Sequence, residues 1–318
     1  MPSNEEAEFP VFSSFFPRPK LLFLSAAIWS GLAIALWYSV VRDLGPSLSI
    51  GPMLGFGYPA PVAEGADPAL RAAYSAATIR AIDVWLYQYM IVAGAIFCAA
   101  WAWFSPHRWF RWSVVVSSVI IFITWFQVQL TVMINNWFGT FYDLVQRALA
   151  KPGDVTIEAY YAQLLTFFSI ASVFIITAVL NNFIVSHYVF RWRTAMNDFY
   201  VENWPRLRHI EGASQRVQED AMRFATITEN LGVKLIDSIM TLIAFLPILW
   251  TLSAYVKVLP IVGEVSQALV FVAIFWAALG TSLLALAGIR LPGLQFRNQR
   301  VEARSEEHTS ELQSQNRI

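Results

Sequence analysis

Six apolar stretches, each about as long as a lipid bilayer is thick, constrain this chain more than anything else in it. They cover residues 21–41, 82–104, 113–134, 164–186, 232–255 and 266–289. A hydrocarbon core of about 30 Å takes about 20 residues of helix, and lipid offers backbone amides no hydrogen-bond partner, so such stretches cross as helices. The fold class predicted is therefore all-α: a polytopic membrane protein with about six spans. Composition agrees, since 57% of the 318 residues are apolar and 14% charged, against roughly 25% charged in soluble domains. Zero formal net charge and a single cysteine argue against a nucleic-acid binder and a disulfide-stapled secreted domain. Cys98 lies inside an apolar run and reads as a buried free thiol. The first stretch is too long for a secretory signal and follows Pro17, Arg18, Pro19 and Lys20, so it reads as a retained span.

The loops set an expected orientation. With the N-terminus inside, the inner segments hold thirteen basic residues, among them Arg108, Arg111, Arg191 and Arg193, and the outer segments hold six. That bias predicts a cytoplasmic N-terminus. Trp101, Trp103, Trp109 and Trp112 cluster around the first inner loop and read as headgroup-level anchors. Residues 42–68 carry ten glycines and prolines, which forbids a long regular element; a helical pattern resumes at about Ala69. Residues 189–231 form a long polar segment between two inner ends. Its periodicity predicts helices extending from spans four and five into the cytoplasm, with a break near Gly212. Arg216 with Asp220 and Glu219 with Arg223 are i,i+4 pairs, which read either as a solvated helix face or as charges with a transport role.

No enzyme motif is present: there is no GxSxG, no phosphate-binding GxxxxGK[ST], no HExxH and no CxxC. His107, His187 and His209 lie apart at expected inner ends and read as interfacial hydrogen-bonding residues, so neither a metal site nor a cofactor is expected. Polar residues in or beside the spans carry more meaning, because lipid penalises them. Asp83, Asn135, Asn136, Asn181, Asn182, Lys234 and Asp237 are of this kind, with Lys234 and Asp237 spaced i,i+3 for an intrahelical ion pair. Glu211, Glu219, Glu229 and Glu302 have no such simple placement; if they line a water-filled cavity, desolvation would raise their pKa values towards neutrality and let them carry protons, which periodicity alone does not show.

The last fifteen residues change character abruptly. Residues 304–318, beginning RSEEHTSELQS, resemble a translated sequencing adapter, so the expected division is an incomplete transmembrane domain over 1–303 and a non-native tail over 304–318.

Several motifs carry a family resemblance: SFFPRP at 14–19, SPHRW at 105–109, ITWF at 123–126, FYDLVQRAL at 141–149, the long run from Leu180 to Ala225 containing HYVFRWRTAMNDFYVENW, and LPGLQFRNQRVEA at 291–303. Over about 15–303 the chain resembles the SbmA/BacA-like peptide transporters of bacterial inner membranes. The resemblance implies a homodimer with helices arranged as in the transmembrane domain of an ABC exporter, but without a nucleotide-binding domain. It also implies proton-gradient-driven import of peptides and peptide antibiotics, with no ATP hydrolysis and no enzyme activity. Partners would be peptides, protons and membrane lipid. A glutamate ladder would relay protons, and its positions carry over to Glu211, Glu219, Glu229 and Glu302. Two departures stand out: Gln295 occupies a place where relatives can have Glu, and Asp198 replaces a Glu with a shorter acid. Two alternatives stay open, the membrane half of an ABC transporter for peptides or fatty acyl compounds, and an accessory factor in envelope lipid modification.

Overall fold

The computed structural model describes residues 10–63, 65, 67–151, 153–207, 221–256, 258–259, 263–265, 267–291, 293–294 and 297. Six long helices dominate them: α1 (Pro19–Ser39), α2 (Pro68–Phe104), α3 (Ser117–Ala150), α4 (Ile157–Glu202), α5 (Ala221–Leu252) and α6 (Ala268–Gly288). All six are long and apolar enough to cross a membrane, α3 together with the turn that precedes it, and each coincides with one predicted stretch. The chain divides into two compact units, Met1–Met240 and Thr241–Ile318.

In the first unit, α1 and α2 run antiparallel and are joined by a ladder of aromatic donors. Trp101 Nε1 donates to Ser25 Oγ (3.1 Å), Trp29 Nε1 to the Ala93 carbonyl (3.1 Å), and the Tyr89 hydroxyl to the Ala33 carbonyl (2.8 Å). Each rung advances along one helix as it retreats along the other, which fixes the register. An indole N–H or phenol O–H in an apolar slab must find an acceptor, and a neighbouring helix supplies carbonyl lone pairs. Trp101 thus departs from the expected anchor role: it is 6% exposed and bonded between helices, whereas Trp103 is 88% exposed and fits that role. Asp67 begins α2 by accepting from the Ala69 N–H (3.2 Å), with Pro68 in the first helical position.

The glycine- and proline-rich connection holds no long element, as predicted, but it is built of three one-turn helices, Val41–Leu44, Gly45–Leu48 and Gly51–Leu54. Trp85 of α2 donates to the Val41 carbonyl (2.7 Å). Gln88 clamps the next turns, accepting from the Ile50 N–H (2.9 Å) and donating to the Leu48 carbonyl (3.2 Å). Gly45 is required by proximity: a Cβ there would collide with the Tyr58 hydroxyl and lie 2.9 Å from Cδ1 of Trp85.

α3 and α4 form a second antiparallel hairpin. Near its tip Trp137 Nε1 donates to the Gln163 carbonyl (2.9 Å) and its ring packs on Phe167 and Phe141; towards its open end Ser117 Oγ donates to the Tyr188 hydroxyl (2.9 Å). Tyr87 joins α2 to α3 edge-on against Trp125 (5.2 Å between ring centres). α4 begins at Thr156, whose hydroxyl accepts from the Ala159 N–H (3.3 Å). Its 46 residues measure about 69 Å at 1.5 Å per residue, more than twice the hydrocarbon thickness, so part of it projects as the sequence predicts. Cys98 is half-buried rather than buried, with Sγ 3.6 Å from Ser118 Oγ. Among the described residues no ion pair joins Lys234 and Asp237; both side chains are exposed and each stands alone.

In the second unit, a 3₁₀ turn (Ser253–Tyr255) leads to a two-residue antiparallel pair, β1 (Val258–Leu259) and β2 (Gly263–Glu264), with Val258 opposite Glu264. Buried Ser253 then caps α6, its hydroxyl accepting from the Leu269 N–H (3.0 Å). α6 is apolar all round, and its residues 271–287 are exposed within the chain, as befits a surface that faces lipid or neighbouring helices.

Candidate functional site

The end of the first unit where α2 gives way to α3 gathers aromatic, basic and acidic side chains. Ser105, Pro106 and His107 interrupt the helix, and a π-helical turn (Arg111–Val116) leads into α3. Such wide turns recur at functional sites. Phe15, from the segment before α1, is fully buried here. It stacks on Trp192 (5.8 Å, 16°) and meets Tyr188 edge-on (5.3 Å, 85°). Phe12 meets Phe224 of α5 (5.7 Å, 82°). The N-terminal segment thereby pins α4 to the start of α5. It can do so because Arg18, between two prolines, takes a left-handed conformation (φ 44°) that turns the chain back under the bundle; its guanidinium lies 5.0 Å over the Phe104 ring.

Charge is arranged around this aromatic floor. Arg108 approaches Asp198 Oδ2 at 3.2 Å, joining the turn to α4. The oxygen is buried yet not aligned as a hydrogen-bond acceptor, so the contact is a charge pair. His107 Nδ1 lies 3.2 Å from the Trp109 N–H and accepts from it, which requires that nitrogen to be unprotonated. Burial also pushes the His107 pKa below its ordinary value. Arg191 lies over two rings, Trp112 (5.3 Å) and Phe190 (5.8 Å), and its buried Nε has no acceptor. In the sequence Arg191 is one of many inner basic residues, and its flanking by Phe190 and Trp192 is the signal that sets it apart.

Of the expected proton-relay residues, Asp198 is at this junction, engaged with Arg108. Position 229 lies on α5 four residues after Ala225, which is buried in the core, and four before Val233, which packs against it. Glu211, Glu219 and Glu302, with Gln295 and the expected break at Gly212, lie outside the described residues. So does the adapter-like tail. Asn181, singled out as a polar residue within a span, is buried at 9% exposure with its Oδ1 unpartnered among the described residues. No cluster of metal-ligating side chains occurs among the described residues.

A model of the SbmA/BacA-like family matches residues 106–311, which include His107, Arg108, Trp112, Arg191, Trp192 and Asp198 of this junction. The chain belongs to the SbmA/BacA-like family. Curated relatives of this family member are also found. An uncharacterized ABC transporter ATP-binding protein of Haemophilus influenzae is 23% identical over 230 residues, 69% of this chain and 36% of the relative. The inner membrane ABC transporter ATP-binding protein YddA of Escherichia coli is 22% identical over 206 residues, 60% of this chain and 35% of the relative. The chain thus spans about a third of the length of these relatives. An all-α chain with six membrane-capable helices and such relatives fits the transmembrane domain of an ABC exporter, and the SbmA/BacA-like protein is a multi-pass membrane protein of a transporter family.

Proposed function

We propose that this SbmA/BacA-like protein imports peptides and peptide antibiotics across the bacterial inner membrane, driven by the proton gradient and acting as a homodimer with its N-terminus in the cytoplasm. Family membership carries the reading. In this scheme protonation of cavity carboxylates on the periplasmic side permits the outward-to-inward change, and their deprotonation in the cytoplasm resets it. Glu211, Glu219, Glu229 and Glu302 are the proposed carriers, with Asp198 as a fifth acid whose ion pair with Arg108 would be released when it takes a proton. Asp198 is twelve residues beyond the apolar stretch that ends at Ser186, about 18 Å along α4, which suits a group exchanging protons with water rather than one crossing lipid. The protein acts without a metal, a cofactor or enzymatic chemistry of its own.

The test is peptide accumulation in proteoliposomes with an imposed pH gradient. Uptake should follow the gradient and fall in Glu211→Gln and Glu219→Gln. Uptake indifferent to the gradient would sink the mechanism. A second reading, the membrane half of an ABC transporter, is favoured by the names of the curated relatives; uptake that requires ATP and ignores the gradient would select it.

A further inference from the structure

We propose that Arg191, seated on Trp112 and Phe190, binds the headgroup phosphate of an anionic membrane lipid. Its level in the bilayer comes first. The apolar stretch of α4 ends at Ser186, and Arg191 is five residues further, about 7.5 Å along the helix. A headgroup layer is about 5–7.5 Å deep on each side of the hydrocarbon, and helical side chains tilt back towards the N-terminus, so the guanidinium is at the height of lipid phosphates. Trp112, on the wide turn before α3, shares that level, and Trp103 is 88% exposed at the same end of the unit, as an interfacial anchor would be.

The chemistry comes second. Arg191 meets two rings but no anion: among the described residues its cationic contacts are Trp112 and Phe190, and its buried Nε has no acceptor. Exposed Arg111 and Arg193 have no acidic partner among the described residues either, and Asp198 is engaged with Arg108. The junction therefore presents a positive surface that the protein does not neutralise from within. Aromatic faces hold a guanidinium by cation–π attraction while leaving its terminal Nη donors for an oxyanion. A phosphate offers several acceptors and a full negative charge, so it matches those donors with paired, charge-assisted hydrogen bonds. A diester at the membrane surface also brings its acyl chains to the exposed apolar flank of α4, where Phe183 is 61% and Val179 65% exposed. That favours a lipid over a phosphate free in solution.

The experiment uses the whole chain in neutral detergent, reading lipid adducts by native mass spectrometry and thermal stability in parallel. Phosphatidylglycerol should give a discrete adduct and raise the melting temperature, and phosphatidylcholine should do neither. Arg191→Gln should weaken the adduct about fivefold or more, the value of one cation at a lipid surface. Arg191→Lys, which keeps the charge but not the fork, should be intermediate. Arg206→Gln, an exposed arginine beyond the end of α4, should bind as the unaltered protein does. Equal loss in Arg206→Gln, retention in Arg191→Gln, or the same stabilisation from inorganic phosphate at equal concentration would overturn the proposal.

Discussion

Replacing Phe15 with alanine tests whether the N-terminal strap holds the junction together. The ring is 0% exposed and contacts Phe16, Tyr188 and Trp192 with centres 5.2, 5.3 and 5.8 Å away. Burying and then deleting a phenyl ring costs about 3–5 kcal/mol, and aromatic pairs add about 0.5–1.5 kcal/mol each. The released segment would rest at the membrane interface rather than in bulk water, which recovers part of the transfer energy. About 3 kcal/mol is the expected net cost. The strap can open without unfolding the bundle, so the loss should surface as local opening. With tenfold for every 1.4 kcal/mol, about 3 kcal/mol raises the open population roughly a hundredfold. Chymotrypsin reads that directly at the Phe12–Ser13 bond within the strap, since Pro17 protects the bond after Phe16. When opening and closing outpace cleavage, the rate follows the open population, so cleavage should accelerate about a hundredfold in Phe15→Ala and only slightly in Phe15→Leu. Equal cleavage rates in Phe15→Ala and the unaltered protein would refute the strap.

Other outcomes follow from the same geometry. Arg108→Gln should cost no more than about 1 kcal/mol, because Arg108 is 70% exposed and screened; a large loss of uptake without a matching loss of melting temperature would mark the Asp198 pair as functional. His107 has a pKa depressed by burial. The unfolded chain then takes up a proton more readily than the folded one, so stability is held above the ordinary value of 6.5 and declines as pH falls through that value towards the depressed one. Melting temperatures between about pH 7.5 and 5 should show that decline, and His107→Gln should reduce it. Gly45→Ala drives a methyl group into Tyr58 and Trp85 and should destabilise by about 1–3 kcal/mol. The cost should shrink in a Tyr58→Ala background, as a melting-temperature double-mutant cycle would reveal.

Spans were legible in the sequence because the physics that makes them is local: about twenty apolar residues suffice, whatever they pack against. What was not legible depends on partners far along the chain. Trp101 has the sequence context of an interfacial anchor, and only Ser25, 76 residues earlier, makes it an interhelical rung. Gln88 gives no sign of its work, because the carbonyl and amide it clamps are 40 and 38 residues away. The spacing of Lys234 and Asp237 permits a pair that the side chains do not form. At the junction, the same residues that carry the family resemblance, SPHRW and FRWR, supply His107, Arg108, Arg191 and Trp192. Their chemical types were visible there, but not the strap of phenylalanines beneath them.

The length of α4 has a mechanical consequence. Sixteen residues of helix follow Ser186 and end at Glu202, a stiff arm of about 24 Å anchored in the bilayer. A tilt of about 10° at the membrane surface would swing its tip by about 4 Å. Asp198 is fastened to Arg108 three quarters of the way along that arm, so a weak charge pair there resists rotation with far more leverage than the same pair would have at the bilayer edge. Making or breaking this one charge contact is thus transmitted to the intramembrane part of the helix as torque.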